Sequence, residues 1–410
     1  MKTTRKVLFI LVIILIFSSC FSPWKRDEGT FSINVGGSGN GRTALPWDKD
    51  SGIRIEDLVH EITLKGPGLK QTVSITGAKT VSFSVVPGLW NITIEANEVR
   101  WEDDEEHRFL VAFGYRTVDI KPGFNGAINI PMSLMEMVWV AGGTFELGKG
   151  LGTVANNPNE DPVSNVTLTG FYIGKYEVTQ AQWEAVMKTT IQQQNSKSSN
   201  PGLYGVGDNY PMYQVSWYDI LEFCNNLSVK EGLTPAYRIN DSTDPAVWGP
   251  QGTGWDAVTI DSSSTGYRLP TEAQWEYAAK GGNPLAPGWV GYTYAGSDNV
   301  DDVAWYEGNS NSSGTKPVGK DKAPNGLGIY DMSGNVWERC WDWYKDYTSA
   351  DKTDPTGPEN GSYRVGRGGG YRLSVTKWEL KEEVRSVYRH DYIGPSYRYD
   401  DLGFRVARPR

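Results

Sequence analysis

The chain has 410 residues, long enough for two domains. Its 47 Gly and 22 Pro follow no repeat period and 12% of its residues are aromatic, which excludes both a collagen-like and a disordered chain. A formal charge of -9 argues against nucleic acid as a partner, because a phosphate backbone needs a concentrated cationic face. Three Cys and three His are too few for a disulfide framework and leave little for histidine-based catalysis.

Lys2, Arg5 and Lys6 precede an apolar run from Val7 to Phe17, followed by Ser18, Ser19 and Cys20. A charged start, a short apolar core and small residues before a cleavage point read as a signal peptide over residues 1–19, too short to span a bilayer. The small pair before Cys20 resembles a bacterial lipobox, with Phe17 where Leu is usual. That reading implies cleavage before Cys20 and its acylation, and several acyl chains hold a membrane where one would not. The alternative is an ordinary signal peptide with an incidental Cys. Loss of the three cations leaves an acidic body.

After a polar linker at 20–30, residues 31–134 read as strands. They are Phe31-Ser-Ile-Asn-Val, Glu61-Ile-Thr-Leu, Thr72-Val-Ser-Ile, Val81-Ser-Phe-Ser-Val-Val, Trp90-Asn-Ile-Thr-Ile, Phe109-Leu-Val-Ala-Phe and Ala127-Ile-Asn-Ile. Turn formers such as Pro87-Gly88 and Pro122-Gly123 separate several of them, and the spacing predicts an antiparallel, immunoglobulin-like sandwich. The acidic stretch Trp101 to His107 is expected to be a solvated loop. With no catalytic cluster, this domain reads as a spacer.

From Met137 the composition shifts to Trp, Tyr, Gly and Asn. Helices are predicted after Thr179, a plausible N-cap, after Ser216, which with Asp219 three residues on makes a weaker relative of the capping box, and from Thr271, with Pro270 just before. The polar stretches Gln192 to Asp208 and Asn240 to Ser264 read as surface insertions.

Several ordered motifs follow: Met137-Val-Trp-Val-Ala-Gly-Gly-Thr-Phe, Tyr172-Ile-Gly-Lys-Tyr-Glu-Val-Thr, Pro211-Met-Tyr-Gln-Val-Ser-Trp, Tyr267-Arg-Leu-Pro-Thr-Glu-Ala-Gln-Trp-Glu-Tyr-Ala, Asn325-Gly-Leu-Gly-Ile-Tyr-Asp-Met-Ser-Gly-Asn-Val-Trp-Glu, Arg367-Gly-Gly-Gly-Tyr and Leu402-Gly-Phe-Arg-Val-Ala. Together they resemble the formylglycine-generating-enzyme (sulfatase-modifying-factor) family. The resemblance implies, for residues 137–410, a C-type-lectin-like fold with small sheets, two helices and much irregular loop. The whole chain is then α+β, with an all-β sandwich ahead of the lectin-like domain.

Fold does not settle function. The family's oxidases hold copper with two cysteines after a Gly-Gly-Ser-Tyr motif, and thiolate is the soft ligand that Cu(I) needs. Aligning Gly368-Gly-Gly-Tyr371 with that motif puts Leu373 and Trp378 at the cysteine positions and Gly370 at the serine. Cys224 and Cys340 read as small core residues. His60, His107 and His390 are isolated, so a histidine-held iron is not expected either. The resemblance therefore implies no copper and no oxidase activity. It does imply a structural Ca2+ at Asp331, Gly334, Val336 and Glu338, where carboxylates and carbonyls on a turn suit a hard cation; the alternative is a plain turn whose acids make hydrogen bonds or ion pairs.

The stretch Arg385-Ser-Val-Tyr-Arg-His-Asp-Tyr-Ile-Gly-Pro-Ser-Tyr-Arg-Tyr-Asp-Asp401 has the composition of a binding loop: stiff amphipathic Tyr interleaved with Ser, Asp and Arg. It resembles the variable region (here 367–405) of lipoproteins diversified by retroelements, of the treponemal variable-protein type. In those proteins template adenines are randomised, so codons yield Tyr, Ser, Asp, His, Arg, Gly, Ile, Thr or Leu but not Trp, Lys, Glu, Gln or Met. The resemblance makes Arg372, Ser374, Thr376, Tyr388, His390, Asp391, Tyr392, Ser396, Tyr397, Tyr399, Asp400 and Asp401 the candidate ligand-binding positions. Arg389, Pro395, Arg398 and Gly403-Phe404-Arg405 read as fixed scaffold, although Arg372, Arg389 or Arg398 could pair with acidic groups of a ligand.

The expectation is a lipid-anchored protein of the bacterial envelope, displayed at the outer membrane, that grips a protein or other cell-surface ligand. The alternatives are a formylglycine-generating oxidase acting on sulfatases, or a structural envelope protein whose tyrosines are internal packing.

Overall fold

The computed structural model describes residues 29–35, 58–67, 69–76, 79–102, 105–128, 133–148, 158–310, 314–372 and 381–410. The signal-peptide segment and Cys20 lie outside these residues. Among them, no helix is long and apolar enough to cross a membrane.

The N-terminal strands are β1 (Gly29–Val35), β2 (Val59–Gly66), β3 (Leu69–Thr76), β4 (Lys79–Val85), β5 (Gly88–Glu102), β6 (Glu105–Ile120) and β7 (Gly123–Ile128). They form two sheets, ordered β4-β1-β7 and β3-β2-β5-β6. Alternation decides what is buried: on β2 the side chains of His60, Ile62 and Leu64 face inward, and on β5 those of Trp90, Ile92 and Ile94 do so. They meet Phe31, Ile33, Phe83 and Val85 of the other sheet in one core. Gly66 has no alternative, since a Cβ there would lie 2.3 Å from the Trp90 indole.

Two features differ from expectation. β1 runs parallel to β7, with a bulge between Thr30 and Ser32, so the sandwich is mixed rather than antiparallel. The described residues of the acidic stretch are strand rather than loop: β5 and β6 extend into it, pairing Arg100 with His107 and Glu102 with Glu105.

The second part has β8 (Met137–Val140), β9 (Gly143–Leu147), β10 (Ser164–Leu168), β11 (Phe171–Gly174), β12 (Tyr237–Arg238) and β13 (Thr259–Ile260). The strands β14 (Trp337–Trp343), β15 (Lys352–Thr353), β16 (Arg364–Arg367), β17 (Arg389–Ile393), β18 (Leu402–Gly403) and β19 (Ala407–Arg408) follow. Among them run the helices α1 (Gln180–Met187), α2 (Ile191–Asn195), α3 (Trp217–Lys230) and α4 (Glu272–Ala279). Thr179, Ser216 and Thr271 each cap a helix with a complete capping box. At Ser216 the Asp219 carboxylate accepts the cap N–H at 2.7 Å, so Asp serves where Glu or Gln is usual.

The sheets are small, ordered β15-β10-β9, β19-β11-β8, β12-β13 and β17-β16-β14-β18. Pairing of β19 with β11 returns the chain end to the start of the domain. The largest core gathers Trp183, Trp217, Phe223, Phe404 and Val406, with Trp183 stacked on Phe223 at 5.4 Å. The two insertions are more than surface decoration. The first contains α2, with Ile191 and Gln194 buried. The second sinks Trp248 and Trp255 into the largest core.

Candidate ligand-binding surface

The tail from Arg367 to Arg405 leaves the β17-β16-β14-β18 sheet from β16 and rejoins it at β18, both of which pair with the fully buried strand β14. It turns sharply at Gly368 (φ +91°) and Gly369 (φ +75°), in the backbone region that favours glycine. Arg367, Arg385, Arg389, Arg398 and Arg405 point inward onto carboxylates far away in sequence. Arg367 reaches Glu276 at 2.5 Å, Arg385 reaches Glu160 at 2.6 Å, and Arg389 reaches Glu272 at 2.5 Å. Arg398 Nη2 donates to Asp219 Oδ1 at 3.0 Å, and Arg405 holds both oxygens of Glu338 at 2.6 Å. Burial opposes each charge, yet Arg389 and Arg367 together hold the Glu272 carboxyl below its ordinary value, and Arg398 does the same for Asp219. The arginines are internal braces, which settles the choice left open for Arg389 and Arg398.

The backbone of the last loop is held as well. Trp217 N–H donates to the Pro395 carbonyl at 2.8 Å and Gln214 N–H to that of Tyr399 at 2.9 Å. The buried Arg339 donates to the Tyr397 carbonyl at 2.6 Å. These contacts use main-chain oxygens and do not engage the side chains of Tyr397 and Tyr399.

Those side chains fall into groups. Tyr392, Tyr397 and Tyr399 are 63%, 41% and 36% exposed, and Ser396 is exposed beside them. Tyr397 and Tyr399 meet edge to face at 5.7 Å, and Tyr392 leans on Tyr363 at 4.7 Å. Tyr388 and His390 are half-buried against Trp337, and the His390 ring accepts the Tyr392 N–H at 3.1 Å. Asp391 accepts a hydrogen bond from Asn159 at 3.2 Å. Arg372 pairs with both Asp400 and Asp401, hydrogen-bonded to Asp400 and 3.6 Å from Asp401. Asp400 is buried, so the expectation that it touches a ligand directly is corrected: Arg372 has claimed it. Leu373, Ser374, Thr376 and Trp378 lie outside the described residues.

Residues with no part in the sequence-based expectation complete the surface. Leu203, Tyr204 and Val206, in the first insertion, are exposed, and Tyr204 lies beside the tail. Tyr204 lies 6.2 Å from Tyr371 ring to ring, and the Arg372 guanidinium sits 5.8 Å over it. Ser198 of the same insertion donates to the Arg398 carbonyl. The sequence signal is the apolar cluster after Pro201-Gly202 in an otherwise polar insertion.

The turn expected to hold calcium is organised differently. Glu338 is committed to Arg405 and also accepts from the Trp275 indole at 2.7 Å. Asp331 accepts the Gly319 N–H at 2.6 Å through Oδ2, while Oδ1 has no hydrogen-bond partner, and burial pushes its carboxyl up to about 6. Gly334 and Val336 lie on the turn, whose Val336 N–H is taken by Glu177. Among the described residues no group of three or more His, Cys, Asp or Glu side chains is placed to hold a metal ion. With an arginine already neutralising Glu338, the set does not fit a calcium ion as it stands. Cys224 and Cys340 are buried, and burial pushes both thiols up, so neither supplies a ready thiolate.

Residues 128–410 match the model of the sulfatase-modifying factor enzyme 1-like domain. The chain is 39% identical to "Chaperone protein LppX" of Paenibacillus barcinonensis, over 67% of this chain and 90% of that protein. It is 30% identical to the formylglycine-generating enzyme of Thermomonospora curvata, over 57% of this chain and 82% of the enzyme. Among solved structures, Treponema denticola variable protein 1 aligns with a TM-score of 0.55 at 34% identity, over 67% of this chain and 95% of its own. The mixed α+β architecture, the motif order and these matches agree: the chain belongs to the sulfatase-modifying-factor family.

Proposed function

We propose that this protein is a lipid-anchored binding protein of the bacterial envelope whose C-terminal loop grips a protein ligand. The observation that carries this reading is the division of labour in the tail. Arginines face inward onto distant carboxylates, while Tyr392, Ser396, Tyr397 and Tyr399 face solvent on a backbone held through its carbonyls. A rigid platform of amphipathic rings binds at low ordering cost. The likeness to a treponemal variable protein supports recognition rather than oxidation, as do Leu373 and Trp378 at the positions of the copper ligands. In this reading Cys20 carries the anchor, the sandwich is the spacer, and the exposed tail positions are those open to diversification.

The test places a photo-crosslinking amino acid at position 397 in the full chain on living cells, with Leu285, 86% exposed and outside the tail, as the control position. A discrete protein adduct from position 397, absent from 285 and lost with Tyr392→Ala and Tyr399→Ala, is expected. Identical adducts from both positions, or none, overturn it. So does formylglycine formation when the purified chain meets copper, oxygen and a Cys-x-Pro-x-Arg peptide.

A further inference from the structure

Tyr371 is 1% exposed, and its hydroxyl has no hydrogen-bond partner. A buried, unpaired hydroxyl is costly, so its surroundings need an explanation. Its charged neighbours are Asp400, Arg372 and Asp401. That corner holds two carboxylates and one guanidinium, one negative charge in excess. Asp400, with its side chain 3% exposed, belongs to Arg372; Asp401, at 17%, stands 3.6 Å from the Arg372 Nε and borders solvent. The Tyr204 ring, 41% exposed, closes the outer side and already carries the Arg372 guanidinium over its face.

We propose that the corner between Tyr204, Tyr371, Arg372 and Asp401 is a subsite for a cationic side chain, a guanidinium or an ammonium, of a protein ligand. The proposal rests on the binding role given above. An arriving cation takes the Asp401 carboxylate and leaves Arg372 to Asp400, which removes the excess charge. It lies against the Tyr204 ring, whose face attracts cations. An anionic ligand would instead have to pull Arg372 away from both aspartates and leave them uncompensated in a partly dehydrated corner, which is strongly unfavourable.

The experiment titrates the full chain with N-acetylarginine amide, N-acetyllysine amide and, as the opposite charge, N-acetylglutamate amide at matched ionic strength, following tyrosine resonances and the melting temperature. Saturable binding of a cationic probe is expected, with a dissociation constant on the order of millimolar. Asp401→Asn and Tyr204→Ala should each weaken it by about tenfold, in chains that still melt cooperatively. Absence of saturable binding, indifference to both substitutions, or preference for the glutamate probe overturns the subsite. The crosslink from position 397 reports separately on the binding role. If it persists while the cationic probes fail, the subsite alone is wrong; if it is absent too, the binding role has failed.

Discussion

Arg389 and Glu272 meet through two parallel hydrogen bonds, Nε to Oε1 at 2.5 Å and Nη2 to Oε2 at 2.8 Å, with both residues buried. Glu272 opens α4 and Arg389 opens β17, so one ion pair ties the helix that carries Trp275 to the strand that launches the C-terminal loop. Arg389 also lies 3.7 Å over the Tyr347 ring, and Tyr347 donates to Glu272. The carboxylate is thus satisfied on several sides, which is what a buried charge requires.

Breaking that pair from one side should be costly. Arg389→Ala leaves Glu272 buried with both its charged hydrogen bonds lost and only Arg367, 3.8 Å away, to balance it, and is expected to lower unfolding stability by about 3 kcal/mol. Tyr392→Ala, three residues on and 63% exposed, should change it by no more than about 0.5 kcal/mol. Urea unfolding of the two variants checks this. Equal losses would mean that the tyrosines hold the loop, as in the structural alternative.

Much of the domain is legible in the sequence because its signals are local. A Thr or Ser cap needs only the residue three positions on, the caps at Thr179 and Ser216 form as predicted, and the helix expected from Thr271 is capped by it in the same way. The strands Phe31 to Val35 and Trp90 to Ile94 need only their alternation. The sorting of the tail is not local. Whether Arg389 points in and Tyr392 out depends on Glu272, more than a hundred residues earlier, and Arg398 likewise on Asp219. Asp400 looks like any exposed acid until Arg372 is seen beside it. Trp248 and Trp255 sit in Gly-rich, polar sequence, and only the packing of that insertion onto α3 shows that they belong to the core.

The sandwich should weaken on acidification. His60 sits on the inward face of β2, is 1% exposed, and neither ring nitrogen has a hydrogen-bond partner. Burial lowers its pKa, so in the range below about 6.5 the unfolded chain takes up a proton that the folded domain refuses. Stability is therefore complete above the unfolded value and falls below it. Hydrogen exchange of the β2 and β5 amides at pH 7.5 and 5.0 should show opening that grows on the acid side, and His60→Leu should remove that dependence. An unchanged pH response in the variant would assign it elsewhere.

A buried carboxyl of the lectin-like domain works in the opposite direction. Asp342 accepts the Glu272 N–H at 2.8 Å. Burial, then the nearby Glu272 charge, pushes its carboxyl up to about 7. A raised carboxyl binds its proton more tightly in the folded chain than in the unfolded one. Its contribution is thus full below about pH 4 and is lost as pH rises through about 7. Asp342→Asn keeps an oxygen for the Glu272 amide and cannot ionise, so the variant should gain stability relative to the parent as pH goes from 5 to 8. Parallel melting curves across that range would show that Asp342 titrates normally.

The turn that begins the tail should tolerate no side chain. Gly369 has φ +75°, and a Cβ there would lie 2.6 Å from a Val384 methyl and 2.9 Å from the Glu383 carbonyl. The methyl could swing aside, but the carbonyl belongs to the backbone and cannot, so Gly369→Ala combines a steric clash with an unfavourable backbone region. Gly326, with nothing within 4 Å of its Cβ position and no positive φ, is the matched control. Gly369→Ala is expected to lose about 1–3 kcal/mol and Gly326→Ala to stay near zero. Because Ser333 donates to the Val384 carbonyl and the Arg385–Glu160 pair follows directly, the damage should spread into the loop. Ligand crosslinking from position 397 should then fall in Gly369→Ala even at a temperature where the domain remains folded. A variant that keeps full crosslinking would show that the loop's shape does not depend on how the tail leaves β16.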